Sequence, residues 1–320
     1  MNFFLVFQRD PYYQHERDGG YLWAPKADSG GGTVYHWENM KKVQKGDLIF
    51  SSNNRRIVSV NVALSDCYDS EQPQGLDEWN RDGWRVDVHY HALDSPIVID
   101  QHIDRILLMQ PVKYAPFNVK GLGNQGYLFE ITPELAYYLL GLSGVSRLYG
   151  IERDVDVMWQ QYLRSEMEET EALAERLPDK TEREQITKAR IGQGVFRSQL
   201  LVRYEGCVLC GLSHPELLIA SHIKPWRSST REERMDKNNG LLLCPNHDAL
   251  FDRGLITFSD DGDLLVSDDL SEVDRFALGV RSGQAISMSM VSTSYLKWHR
   301  ENVFKGSGLR SSEAFFPSDG

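Results

Sequence analysis

Two short pairs of ligand-type residues constrain this chain more than any other feature. Cys207-Val-Leu-Cys210 and Cys244-Pro-Asn-His247 each hold two metal-binding side chains three positions apart. Two intervening residues let one tight turn present both side chains to a single tetrahedral ion. Thiolate and imidazole together suit Zn²⁺. The stretch between the pairs is long enough to fold a hairpin. One structural zinc on Cys207, Cys210, Cys244 and His247 is therefore expected. The competing reading is a set of buried thiols with unrelated roles. With four cysteines in 320 residues, a secreted disulfide framework is excluded.

The length suggests about two domains, and 41% hydrophobic residues supply enough apolar material for their cores. The net charge of −11 rules out a blanket of positive charge, but not a local basic site. Residues 1–150 carry 14 basic and 18 acidic groups, residues 151–190 carry 7 and 11, residues 191–260 carry 8 of each, and residues 261–320 carry 6 and 9. The neutral block holds the Cys/His pairs and is the part least repelled by a polyanion. No apolar run is long enough to span a bilayer, and the first residues lack a signal-peptide pattern, so a soluble cytoplasmic protein is expected.

The first 150 residues read mainly as strands. Residues 2–8 form an apolar run, and residues 47–51 and 56–64 are β-rich runs split by a turn at Asn53-Asn54. Residues 84–90 alternate, with Trp84, Val86, Val88 and Tyr90 on one side. Residues 127–131 give another strand. Thr132-Pro133-Glu134 then starts a helix that stops near Gly144. Residues 28–32 and 66–83 read as loops. Residues 151–190 turn rich in Glu, Arg, Leu and Ala, and two helices are expected, at 152–177 and 180–190. Trp159, Tyr162 and Met167 recur there at helical spacing, either as a connector packed on its neighbours or as a dimer seam.

Between the ligand pairs, a strand at residues 217–221 ends at His222, followed by Ile223-Lys224-Pro225. A polar loop leads to Asn238-Asn239 and a second strand. Pro245 to Asp252 then reads as a short helix carrying Asp248. With Ser221-His222-Ile223-Lys224-Pro225, the run from Asn239 to His247, and Leu250-Phe251-Asp252-Arg253-Gly254-Leu255-Ile256, this stretch of about 60 residues resembles an HNH nuclease with the ββα-metal fold.

The resemblance implies metal-dependent phosphodiester hydrolysis. A histidine is suited to proton transfer near neutral pH, and His222 would take a proton from the attacking water. Asn239, or else Asn238, would brace the loop that holds the histidine. Many relatives place a histidine directly after the second zinc ligand. Here that residue is Asp248, so the signature is H-N-D, and a carboxylate suits Mg²⁺ or Mn²⁺. The opposite assignment puts His247 on the catalytic metal and leaves three zinc ligands. Ser221 stands where relatives often have another metal ligand. His89, His91 and His214 carry no motif.

The N-terminal block resembles an EVE domain of the PUA-like superfamily. The residues that carry this are Phe3 to Phe7, Gly20-Tyr21-Leu22-Trp23-Ala24-Pro25, His36-Trp37 before Met40, Val43 to Phe50 with its Lys45-Gly46-Asp47-Leu48 step, and Val60-Asn61-Val62-Ala63. The resemblance implies a reader of a flipped, modified base. Tyr21, Trp23 and Trp37 would wall the pocket, and Ser51, Ser52 and Asn53 would read the base edge. The competing reading puts the tryptophans in the barrel core.

The expected fold class is thus α+β: an EVE-like β-barrel over 1–150, a helical linker over 151–190 and a zinc-bearing HNH domain over 191–310. The expected function is that of a type IV-like restriction endonuclease. It would cut double-stranded DNA carrying 5-methylcytosine or 5-hydroxymethylcytosine, and a homodimer is expected. One rival is an HNH nuclease whose N-terminal domain serves only assembly or non-specific binding. Another is a zinc-stabilised reader whose nuclease has decayed.

Overall fold

A computed structural model describes residues 1–74, 82–145, 148, 157, 161, 162, 164, 165, 168, 172 and 194–306. The chain divides into two compact units, residues 1–171 and 172–320.

The first unit is built on one mixed sheet. Its elements run β1 (Phe3–Phe7), α1 (Tyr12–Gly19), β2 (Tyr21–Pro25), α2 (Tyr35–Glu38), β3 (Leu48–Asn53), β4 (Arg56–Ala63), β5 (Tyr68–Glu71) and β6 (Asp82–Val98), then α3 (Ile99–Met109), β7 (Leu128–Glu130) and α4 (Pro133–Ser143). The strand order is β2-β6-β4-β3-β1-β7, with β5 also paired to β6. Only β1 and β3 run parallel; the other pairings are antiparallel. The alternation at residues 84–90 belongs to a strand of 17 residues. Its first part lies between β2 and β5, and from Val88 onward it pairs with β4. That change of partner bends the sheet into a half-barrel whose core includes Phe4, Val6, Leu22, Ile49, Trp84 and Val86.

Local sequence explains the joints. The β3–β4 turn is Asn54-Arg55, one residue later than expected, and both residues are left-handed (φ 48° and 58°). Such a two-residue turn matches the twist of its strands. Thr132 caps α4 by accepting the Leu135 amide, and left-handed Gly144 (φ 66°) ends it. The loop expected at 66–83 instead contains β5 and the start of β6. Helices α1 and α3 were not foreseen. The helices expected at 152–177 and 180–190 lie largely outside the described residues, as do Trp159 and Met167. Tyr162 meets Phe3 of its own chain edge-on, with ring centroids 6.1 Å apart.

The second unit contains α5 (Val195–Arg203), β8 (Ile219–His222), α6 (Arg231–Met235), β9 (Gly240–Leu243), α7 (Pro245–Asp252), β10 (Ile256–Phe258), β11 (Leu264–Val266), α8 (Glu272–Ala277) and α9 (Thr293–Asn302). Strands β8 and β9 form an antiparallel hairpin, with His222 opposite Gly240, and α7 packs against both strands. This is the ββα arrangement that the sequence led us to expect, and the chain as a whole is α+β. Phe196, Leu200, Leu241, Leu243, Leu250 and Phe251 are buried in this unit. Among the described residues, no helix is long and apolar enough to cross a membrane.

Candidate active site, metal centre and cleft

His222 is the last residue of β8 and is 8% exposed. Its Nε2 lies 2.9 Å from the Arg234 carbonyl. A carbonyl only accepts, so Nε2 carries the hydrogen and the neutral ring has its lone pair on Nδ1. Phe196 stacks on the imidazole at 4.0 Å and 10°, and Trp226 meets it edge-on at 5.5 Å and 85°. The ring is therefore held by two aromatic neighbours and at Nε2. Gly240, opposite it, is required by the same packing: a Cβ there would come within 2.7 Å of the Phe196 ring and 2.8 Å of Leu200.

Of the two candidate asparagines, Asn239 makes the hydrogen bonds across the loop. It is fully buried. Its Oδ1 accepts from the Lys224 amide at 2.8 Å, and its Nδ2 donates to the Glu233 carbonyl at 2.9 Å and to the Lys224 carbonyl at 3.3 Å. Its backbone carbonyl accepts from the Ile223 amide. Asn238 instead accepts from the Arg203 guanidinium at 2.9 Å. The loop is further pinned by α6, which opens on a capping box formed by Thr230 and Glu233, and by the Lys224–Glu233 ion pair at 2.6 Å. The Thr230-Arg-Glu-Glu233 pattern could have revealed α6 from sequence. The Arg234 carbonyl and the Phe196 stack had no such signal. Asp248 lies half-buried on α7, the helix that packs on the His222 strand. Ser221 is buried, and its hydroxyl has no hydrogen-bond partner.

The four expected zinc ligands converge. Ligand atoms of Cys207, Cys210, Cys244 and His247 all lie within 4.8 Å of one another. His247 Nδ1 is 3.3 Å from both Cys207 Sγ and Cys244 Sγ, and Cys210 Sγ is 3.8 Å from Cys244 Sγ. Zinc bond lengths of about 2.3 Å to sulfur and 2.0 Å to nitrogen imply tetrahedral edges of about 3.8 Å (S to S) and 3.5 Å (S to N). The donor set therefore fits a tetrahedral metal through Nδ1. Burial pushes the Cys244 thiol up to about 11, so its thiolate needs a cation beside it. Among the described residues this is the only group of three or more His, Cys, Asp or Glu side chains placed to hold a metal.

The first unit has a cleft of about 1000 Å³. Trp23, Trp37 and Ser52 line it. Tyr21, Ser51 and Asn53 are not among its lining residues. Tyr21 lines a separate, smaller hollow and lies under the Arg85 guanidinium at 4.4 Å. Ser51 Oγ accepts from Asn61 at 2.8 Å, and Asn53 Nδ2 donates to Asp10 at 3.1 Å. Trp37 both lines the cleft and belongs to the main core. The Trp23 ring lies against Gly83, where a Cβ would come within 2.3 Å of it.

Two polar residues of the cleft, Glu16 and His36, were given no role by the sequence reading. His36 Nδ1 accepts from the Tyr127 amide at 3.1 Å, and burial holds its pKa below the ordinary value. A neutral His36 therefore carries its hydrogen on Nε2. Glu16 is buried and accepts hydrogen bonds from the Tyr127 hydroxyl, Gln8 Nε2 (2.6 Å) and the Trp23 amide (2.9 Å). Desolvation outweighs these donors and raises its carboxyl to about 7. A buried carboxylate of this kind leaves no spacing pattern.

The comparisons with known proteins fall on both units. Residues 207–259 match the HNH endonuclease family. No curated protein matches the chain. Among solved structures, human THYN1 in complex with 5-methylcytosine-containing DNA is similar at 12% identity and a TM-score of 0.31, over 46% of this chain and 100% of that one. The YTH domain of Zygosaccharomyces rouxii MRB1, bound to N6-methyladenosine RNA, is similar at 11% identity and a TM-score of 0.32, over 46% and 90%. A Rhodopseudomonas palustris protein solved by NMR is similar at 14% identity and a TM-score of 0.31, over 48% and 100%. The family match spans both ligand pairs, His222, Asn239 and Asp248, and residues 207–259 of this chain are an HNH endonuclease domain.

Proposed function

We propose that the chain is a cytoplasmic, modification-dependent restriction endonuclease. Its N-terminal unit binds a modified cytosine, 5-methylcytosine or 5-hydroxymethylcytosine, flipped out of duplex DNA, and its HNH domain cuts nearby. The observation that carries the nuclease half is the His222 environment inside a family-matched ββα unit. The sequence resemblance to EVE domains and the tryptophan-walled cleft support the reader half. A pocket of this size takes a whole nucleotide, and aromatic walls suit an unstacked base.

In this reading His222 is the general base. With its hydrogen on Nε2 at the Arg234 carbonyl, the neutral ring has its basic lone pair on Nδ1, the atom that takes the proton of the attacking water. Asn239 positions His222 by locking the loop that follows it. Asp248 is the residue to hold Mg²⁺ or Mn²⁺, which when bound supplies positive charge at the scissile phosphate. A single carboxylate is enough, because Mg²⁺ commonly takes its other ligands from phosphate and water. Cys207, Cys210, Cys244 and His247 hold a structural zinc.

Digestion of matched plasmids, unmodified, methylated and hydroxymethylated, with Mg²⁺ or Mn²⁺, tests the whole reading. Cleavage confined to a modified plasmid is expected. His222→Ala should lower its rate by about 10²-fold or more while DNA affinity stays within about twofold, because a base acts on the proton transfer and adds little ground-state binding. Equal cutting of all three plasmids would remove modification dependence. Wild-type cutting by His222→Ala would remove the active-site assignment.

A further inference from the structure

The segment between α3 and β7 forms part of the cleft and carries an unusual run of exposed apolar side chains. Val112 and Val119 are 102% and 93% exposed, and Tyr114 and Leu122 are 64% and 54% exposed. Phe117, Gly123 and Asn124, from the same segment, line the cleft. Tyr114 stacks on Tyr35 at 4.0 Å, beside the cleft residues Val34 and His36. The apolar edge and the cleft wall are thus one continuous piece of chain.

The tip of this segment is a tight turn. The Asn118 amide donates to the Leu122 carbonyl at 2.9 Å, and the Gly121 amide donates to the Asn118 carbonyl at 2.8 Å. Asn118 Oδ1 also accepts from the Lys120 and Leu122 amides, at 2.9 and 3.2 Å. Lower down, Gln110 closes the segment with two hydrogen bonds to the Phe117 backbone, at 3.0 and 3.1 Å. Val119 is therefore presented on a braced support. Single exposed apolar side chains are ordinary on a folded surface, but several grouped on one segment mark an interaction site.

The charge of the segment selects the partner. Residues 110–124 contain Lys113 and Lys120 and no Asp or Glu, in a chain of net charge −11. An apolar tip flanked by lysines suits the inside of a base stack bordered by phosphates. We propose that Val119, supported by Leu122, is the wedge that enters duplex DNA and fills the space left by the base held in the cleft. This rests on the reader function proposed above. Extruding a paired base carries an unstacking and unpairing penalty, which a wedge offsets by replacing the lost stacking contacts. The penalty is absent when the target base is already unpaired.

The test uses the full chain as wild type and as Val119→Ser. Val119 makes no buried packing, so the fold is expected to survive. Affinity is measured on duplexes carrying a modified or an unmodified cytosine, either paired with guanine or opposite an abasic site. Val119→Ser should weaken binding to the paired modified duplex at least tenfold and to the unpaired one less than twofold. A 2-aminopurine next to the target should brighten with wild type and stay dark with the variant. Unchanged affinity for paired duplex, or equal losses on both, would overturn the wedge. So would an unchanged paired-to-unpaired ratio with loss of a dimer on sizing, which would make this edge a protein interface. The wedge is read from the paired-to-unpaired ratio and the reader from the modified-to-unmodified ratio, so their failures are distinguishable.

Discussion

Glu16 shows how a residue without any motif can dominate its surroundings. Three donors converge on its carboxylate, yet burial still lifts its pKa from 4.5 to about 7. In the unfolded chain the group returns to its ordinary value. Between about pH 4.5 and 7 the unfolded chain has released a proton that the folded chain keeps. Stability of the first unit must therefore fall as pH rises through that window, by about 3 kcal/mol in all, and level off above it. Glu16→Gln removes the titration. Urea midpoints from pH 4.5 to 8 should show the wild type losing stability relative to Glu16→Gln, and parallel curves would refute the assignment. The same contrast explains what was readable at this scale. His222, Asn239 and the four Cys/His ligands sit at fixed spacings that backbone geometry imposes. Glu16, His36 and the Arg234 carbonyl act through tertiary contacts between distant residues, such as Tyr127 against Glu16 and His36, and no local spacing records those.

Elements were legible where a local signal fixed them. The Thr132 cap and the Pro245 start gave helices within a residue or two of their places, while the periodicity of residues 84–90 gave the start of β6 but not its length, which runs on to Val98. Helix α1 was missed because its apolar positions are few, whereas α3 carries its pattern openly, with Ile99, Ile103, Ile106 and Leu107 at helical spacing. Tyr13 and Glu16 are the buried residues of α1, and Ile99, Ile106 and Met109 those of α3. Helix α1, which packs on β2, is held by that contact more than by its own pattern. The ββα hairpin depends on another non-local agent. Strands β8 and β9 have four residues each, too short for independent stability, and the Cys/His cluster ties the turn at residues 207–210 to the start of α7. Metal analysis should give about one zinc per chain. Chelation at neutral pH should unfold the second unit and abolish cleavage, with the first unit's near-ultraviolet signal retained. A metal-free preparation that is folded and active would end the structural-zinc assignment.

At the scale of the whole molecule, the proposed division of labour makes the two units separable, and the boundary itself can be tested. The sequence placed the end of the reader at residue 150, by a change in composition. The chain divides into its two compact units at residue 171, and Tyr162 packs on Phe3 of β1, so a boundary at 171 is the alternative to one at 150. An edge-on aromatic pair of this kind contributes about 1 kcal/mol beyond its burial. A fragment of residues 1–171 is therefore expected to melt several degrees above one of residues 1–150. Tyr162→Ala in the longer fragment should erase most of that gap. The longer fragment should prefer modified over unmodified duplex, and Trp23→Ala should remove the preference. Residues 172–320 should keep zinc and nick DNA without regard to modification. One HNH site meets one strand, so double-strand cleavage needs two copies or two successive events. Because Tyr162 is engaged within its own chain, we expect a homodimer to form only on DNA carrying two modified sites. Sizing of the full protein with one-site and two-site duplexes decides this: a dimer without DNA would place the seam elsewhere. A reader fragment that binds both duplexes equally would leave the endonuclease intact and take the modification out of its function.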